Sequence, residues 1–281
     1  MSKDVKTNDK YYIGPKPSQK EIDRALEMFQ AHRMQSIKED VTYREAIKEY
    51  RIYIRMIAEL LNELKLPNNP LYYSIVLQRM IYRGYCSLKE YKYVYDVQDI
   101  LTFTSGINII AGEGVCRNST CFIEDVLKKL DFPTEKFYCN CQSTSRQRKA
   151  KPANHVLNII TIDGIKYGYD STNRFFLRFI NDSDLRTYLP TGEEVIFHFK
   201  PYAFLTLEGI TQDIPEKMRT YRNASLASQI SDEEVNEIIV RSTELVNKNK
   251  EAFNMFKDHT QERKQKILTL TQKETNHEVV K

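Results

Sequence analysis

Apolar residues recur at helical spacing through the first third of the chain, and the pattern then changes character. Ser18 followed by Glu21 forms a capping box, in which each side chain satisfies a first-turn backbone N–H that has no partner within the helix. Behind it, Ile22, Ala25, Leu26 and Phe29 keep a three-to-four-residue spacing. Ile47, Ile54, Ile57, Leu60, Leu61 and Leu64 predict a second helix that ends at Pro67. Asn69-Pro70 opens a third, with proline in the first turn, where an N–H has no intrahelical role. Ile75, Val76, Met80 and Ile81 form its apolar stripe, and Gly84 marks its end. Ahead of all three, residues 1–17 are polar and carry Gly14, Pro15 and Pro17, which predicts a flexible leader.

Further on, segment 88–112 mixes β-branched and aromatic residues with Gly106 and Gly112 and is expected to be irregular. Phe122, Ile123, Val126, Leu127 and Leu130 then give one face of an amphipathic helix. A polar stretch over about 131–153 reads as a loop. The segments 155–162 and 165–172 read as two strands joined by Asp163-Gly164, a pair suited to a two-residue hairpin turn. A third strand is expected in EVIFHFKPYAF, where Val195, Phe197 and Phe199 alternate with Ile196 and His198. Ser231 and Glu234 form another capping box, opening a helix with Val235, Ile238, Ile239 and Val246 on one face. From about residue 259 the density of Lys, Glu and Gln predicts an exposed, frayed tail. No internal repeat is visible. Helices, then strands, then a helix predict an α+β fold. Its regions are a leader (1–17), a helical N-terminal region (18–87), a central core (88–230) and a C-terminal helix with a charged tail (231–281).

Composition adds limits. At 281 residues, 41% hydrophobic and 28% charged, the chain is an ordinary globular polypeptide with room for one large domain or a core with helical additions. No run approaches the roughly 20 apolar residues of a membrane-spanning helix. The first twenty residues lack an apolar signal-peptide core, so a cytoplasmic location and no membrane partner are expected. The formal charge of +4 is too small to suggest nucleic-acid binding, and the basic cluster Arg146, Arg148, Lys149 and Lys151 reads as part of a solvated loop.

Five scattered cysteines, an odd number, make a poor disulfide framework and suit a reducing compartment. Cys139-Asn140-Cys141 lacks the spacing of a zinc site, and no cofactor or metal is expected. Cys116 differs from the others in its setting. Gly112 and Gly114 permit a tight turn before it and a helix follows, which places its sulfur at a helix N-terminus. Unpaired N–H groups there favour an anion, lowering a thiol's pKa and offering donors to an oxyanion.

A thiolate nucleophile also needs an imidazole, and the imidazole needs an orienting group. A two-residue turn at Asp163-Gly164 pairs Ile162 with Ile165 and, counting outward, Leu157 with Asp170. Leu157 lies two residues from His155, so His155 and Asp170 fall on the same sheet face as diagonal neighbours, about 7–8 Å apart in backbone. A change of one residue in the spacing would send the carboxylate to the other face. Cys121 reads as a core thiol, His198 as a strand residue at a sheet surface, and His32, His259 and His277 as surface residues.

The residues GVC at the head of a helix, followed by HVLNIITIDGIKYGYDSTN, resemble the transglutaminase-like superfamily within the wider papain-like group of thiol enzymes. The shared pattern is G-x-C at a helix start, a strand histidine before a D-G hairpin, and D-x-T-N; it covers roughly 105–175. The resemblance implies a nucleophile helix packed on an antiparallel sheet, with Cys116 as nucleophile, His155 as general acid and base, and Asp170 orienting His155. Val156-Leu157 stand where the family often has an aromatic residue. No tryptophan or upstream glutamine is present to complete an oxyanion hole, so the second donor is unidentified, with Asn108, Asn154 and a tyrosine as candidates. The function implied is cysteine-dependent acyl transfer on a peptide or side-chain amide of a protein or peptide substrate, with water or an amine as acceptor. Arylamine N-acetyltransferases use similar chemistry, but Gly112-Glu113-Gly114 and Asp170-Ser171-Thr172 stand in place of their signatures. The remaining alternative is a non-catalytic interaction module that works through its helical flanks.

Overall fold

The computed structural model describes residues 41–94, 106–143, 153–162, 165–172, 175–179, 184–188, 194–200, 204–206, 209–211 and 232–272, with side chains for 44–94, 106–136, 155–162, 168–172, 233–234 and 236–271. The leader, the helix expected after Ser18, the Asp163-Gly164 turn, the Arg146–Lys151 cluster, Ser231, Asn173, His32 and His277 lie outside the described residues.

Helix α1 spans Val41–Glu63 and buries Ala46, Tyr50, Tyr53, Ile54, Ile57, Leu60 and Leu61, the stripe that three- and four-residue spacing dictates. Helix α2, Pro70–Tyr82, starts as its sequence requires: the Asn69 side chain accepts the Leu71 N–H at 2.9 Å, with proline in the first turn. It is buried on nearly every side, from Leu71 to Ile81. A short helix α3 (Asn108–Ala111) ends at Gly112, whose φ of +78° is costly for any residue with a side chain. Two short strands pair in parallel, β1 (Lys92–Tyr93) and β2 (Glu113–Gly114), and helix α4 (Cys116–Lys129) follows.

The sheet is larger than the sequence pattern announces. Strands β3 (Thr134–Ser143), β4 (Ala153–Ile162), β5 (Ile165–Asp170), β6 (Phe175–Phe179), β7 (Asp184–Tyr188) and β8 (Glu194–Lys200) pair antiparallel in sequence order. β8 returns to β3 to close a barrel. β3 occupies residues 134–143 of the loop expected over 131–153. Its sequence, TEKFYCNCQS, mixes charged and amide residues into the alternation and so hides the two-residue period. β9 (Phe204–Thr206) and β10 (Gly209–Thr211) form a separate hairpin, so the expected EVIFHFKPYAF strand is divided between β8 and the start of β9.

The C-terminal region also differs from expectation. Helix α5 (Asp232–Lys248) is followed by α6 (Lys250–His259) and then by α7 (Gln261–Gln272), which stands where a frayed tail was expected. α7 packs along α1 and buries Lys264, Ile267 and Thr271. The signal is weak in sequence because its inward stripe is largely polar. Lys264 Nζ donates to the carbonyls of Tyr85 (3.2 Å), Ser87 (3.4 Å) and Lys257 (3.4 Å), which compensates its burial. Glu49 of α1 receives both Arg263 and Lys266 of α7, and the Lys266 hydrogen bond leads in holding its carboxyl below the usual range.

The architecture is thus mixed helix and sheet, consistent with α+β. One core runs from the helices to the sheet: Tyr53, Ile57 and Leu61 of α1, Leu77 and Met80 of α2, Phe122, Ile123 and Val126 of α4, Ile160 of β4 and Tyr169 of β5, with Phe253 and Ile267 behind. α4 lies between α1 and α2 on one side and strands β3 and β4 on the other. It is pinned by Thr120 Oγ1, which donates to the Val156 carbonyl at 3.2 Å, and by Asn158 Nδ2, which donates to the Thr120 carbonyl at 3.1 Å. Among the described residues, no helix is long and apolar enough to cross a membrane.

Gly106 is fixed by close approach rather than by backbone angle. A Cβ there would lie 2.8 Å from Cα of Phe122 and collide with the Tyr50 hydroxyl, which itself donates to Asp125 at 2.8 Å. Gly106→Ala should therefore destabilise the protein by about 1–3 kcal/mol, the usual cost of overpacking, as read from a lower urea midpoint at unchanged m.

Candidate active site

Cys116 is the first residue of α4. Val115 before it is extended (φ −115°, ψ −175°), so the chain turns into the helix at the cysteine. Asn118 Oδ1 accepts the Val115 N–H at 3.0 Å, the half of a capping box still available when the N-cap residue is a valine. The residues ahead of Cys116 are held by backbone hydrogen bonds: Lys92 N–H to the Gly112 carbonyl (2.8 Å) and Val94 N–H to the Gly114 carbonyl (3.1 Å). Tyr91 Oη adds a third bond, to Gly114 O at 3.2 Å. Gly112 serves this clamp as well as the turn, because a Cβ there would sit 2.8 Å from the Lys89 carbonyl.

His155 lies on β4 and Asp170 ends β5. The ladder between them pairs Ile162 with Ile165 and runs to Asn158 with Tyr169, the register expected from a two-residue connection. His155 and Asp170 therefore share a face, and Nε2 of His155 is 2.7 Å from Oδ2 of Asp170. An ionised carboxylate can only accept, so Nε2 carries the proton and donates. The second ring nitrogen, Nδ1, is not used by the carboxylate, and the Cys116 thiol lies close enough to the imidazole for each to act on the other's ionisation. The three residues singled out from the sequence are thus brought together, with His155 bonded to Asp170 and neighbouring Cys116.

All three groups are largely withdrawn from water. Cys116 is 8% exposed, and the side chains of His155 and Asp170 are 9% and 5% exposed. Burial alone pushes the Cys116 thiol up. The hydrogen bond and positive charge of His155, with the Val156 N–H, outweigh burial and the opposing Asp170 charge, so the thiol lies below its ordinary range. Burial likewise pushes the His155 imidazole down, but the Asp170 charge and hydrogen bond, together with Cys116, hold it well above the ordinary histidine value. Both shifts run in the direction that favours a thiolate–imidazolium pair.

The carboxylate has its own support. Asp170 Oδ1 accepts the Thr172 N–H at 3.0 Å, an Asx turn that fixes the side chain against its own backbone. Ser119, one turn along α4 from Cys116, joins the nucleophile helix to this turn. Its Oγ donates to the Cys116 carbonyl (3.1 Å), accepts from Ser171 Oγ (3.0 Å) and lies 3.3 Å from Thr172 Oγ1. Sequence reasoning passed over Ser119 and Ser171, because small hydroxyl residues near a motif carry no period or charge to mark them.

The other candidates separate clearly. Cys121, on the same helix, is buried and its thiol is pushed up to about 12, mainly by burial. Cys86 is likewise buried and pushed up to about 12 by burial. Cys139 and Cys141 lie on β3, with Cys139 the backbone partner of His155. His198 lies on β8 and Asn154 on β4, both with side chains outside the described set; Asn108 is buried on α3, and His259 ends α6 at the surface. No protein-family model matches this sequence, and no curated protein does.

Alkylation follows the thiolate, so its pH dependence separates these thiols. Cys116 should react with limiting iodoacetamide before Cys86 and Cys121, and should keep reacting well below pH 8.5, where about half of an ordinary free cysteine is ionised. His155→Ala should shift the profile upward by removing the hydrogen bond and charge that offset burial. Mass spectrometry of peptides labelled across a pH series provides the measurement.

Proposed function

We propose that the protein is a cysteine-dependent acyl-transfer enzyme of the transglutaminase-like, papain-like type. It would act on peptide or side-chain amides through a thioester. The observation that carries this reading is the contact of Cys116 at a helix start with the His155 imidazole, whose Nε2 lies 2.7 Å from Asp170. An inert core cysteine requires no such partner, and the buried Cys86 and Cys121, pushed up to about 12, have the opposite electrostatic setting.

The chemistry follows from these positions. The Cys116 thiolate attacks the amide carbon, and the carbonyl electrons move to oxygen. As the first residue of α4, Cys116 has no carbonyl one turn back to accept its backbone N–H, which becomes a donor to the oxyanion. On collapse, the His155 imidazolium gives its proton to the departing amine, leaving a thioester and neutral imidazole. His155 then takes a proton from the incoming water or amine, which attacks the thioester. The acyl product departs, and thiolate and imidazolium are restored. Asp170 remains ionised throughout, holding the ring and stabilising its cationic form. The packing of α4 on β3 and β4 is compatible with the nucleophile-helix-on-sheet core that the resemblance implies.

Proteome-scale peptide profiling with wild-type and Cys116→Ala protein tests the proposal and names the acceptor. Cleavage leaves new termini, deamidation converts glutamine to glutamate, and transamidation leaves crosslinked or amine-bearing side chains. Identical profiles for the two proteins would overturn the enzymatic reading. On a substrate found in this way, His155→Ala should abolish turnover. Asp170→Asn should keep a residual rate, lower by about 10⁴-fold if Asp170 carries the full share seen for an orienting aspartate in serine proteases. Steady-state assays of both variants, with circular dichroism to establish folding, check the ordering.

A further inference from the structure

α2 is the most enclosed helix described, yet it places Ser74 and Gln78 in the interior beside the end of β5. A buried carboxamide left unpaired costs about 1–3 kcal/mol, so its partners indicate what it is for. Gln78 Nε2 donates to the Ser171 carbonyl at 2.9 Å, and Gln78 Oε1 accepts from Tyr169 Oη at 2.9 Å. Tyr169 and Ser171 are the residues on either side of Asp170. The same hydroxyl reaches the Ser74 carbonyl at 3.2 Å, and one turn beyond Gln78 on α2, Tyr82 Oη donates to the Thr172 carbonyl at 3.0 Å. On the β4 side the β5 ladder ends with Asn158 and Tyr169, one residue short of Asp170. The carboxylate thus stands just past the pairing that fixes its position relative to His155.

We propose that Gln78 is a positioning residue for Asp170, gripping the chain immediately before and after it so that Oδ2 stays within hydrogen-bond reach of His155. The inference rests on the reading of Cys116, His155 and Asp170 as a catalytic set. Gln78 touches no reacting atom and acts through the carboxylate. Its influence is therefore read on the imidazole, whose titration depends on where that carboxylate lies. Among the described residues, Asp170 and Cys116 are the titratable groups that act on His155.

The test is NMR titration of the His155 ring in the full chain, its resonance identified by loss in His155→Ala. Gln78→Met keeps length while removing both polar ends. Tyr169→Phe removes only the hydroxyl and provides the same test should Gln78→Met not fold. Asp170→Asn should lower the His155 pKa towards the free value of about 6.5. Gln78→Met should lower it in the same direction by about one unit, a tenfold change in proton affinity, and Tyr169→Phe by less. Combining Gln78→Met with Asp170→Asn should give no further shift beyond Asp170→Asn alone, because the glutamine acts only through the aspartate. A normal shift in Asp170→Asn with none in Gln78→Met or Tyr169→Phe would overturn the Gln78 role alone. A further shift in the double variant would overturn it too. No shift in Asp170→Asn would remove the catalytic set itself, and the Gln78 proposal with it.

Discussion

The hydrogen bond from His155 Nε2 to Asp170 Oδ2 is the interaction on which the rest of the site depends. It crosses the β4–β5 pair diagonally and exists only because the connection between Ile162 and Ile165 has two residues. Strand side chains alternate between faces, so parity decides whether carboxylate and imidazole meet at all. Once they meet, burial acts on the assembly as a whole. Burial disfavours a lone imidazolium or thiolate in this setting; Asp170 and Cys116 favour the charged imidazole, and the charged imidazole in turn favours the thiolate.

The helical layer supplies what a sheet edge cannot. α4 delivers Cys116 to the sheet, and Ser119 ties that helix to the turn after Asp170, so the elements carrying thiol and carboxylate are held to one another. The buried polar residues Gln78, Ser119, Asn158 and Ser171 each bond backbone or another polar side chain across the junction of helix and sheet. Apolar contacts set the distance between the layers. These directional bonds set their orientation, a division of labour that a hydrophobic core alone does not provide.

How much of this was legible in the sequence follows from how each element announces itself. α1 and α2 have clean three-to-four spacing and a proline-asparagine start, and both lie where the pattern put them. The nucleophile helix and the hairpin register were legible for the same reason: glycine, alternation and a two-residue connection are local signals. β3 was not, since its charged and amide residues blur the two-residue period. β6 and β7 were not either, being only five residues each. α7 was mistaken for a tail because its inward positions include Lys264 and Thr271, and a lysine is read as solvent-facing until its carbonyl partners are seen. Gln78 was invisible on other grounds: its partners lie more than 90 residues away, in a contact that no local pattern encodes.

The Lys264 amine has an implication for the order in which the protein is made. It closes the carbonyls of Tyr85 and Ser87, synthesised 179 and 177 residues earlier. The chain from that turn continues directly into the strip that backs Gly112 and Gly114. While the ribosome is still adding the C-terminal helices, this turn lacks its amine, and α1 lacks the Arg263 and Lys266 partners of Glu49. The Tyr85–Ser87 turn and Glu49 therefore meet their final partners only once α7 has been translated, so this part of the fold closes late in biosynthesis.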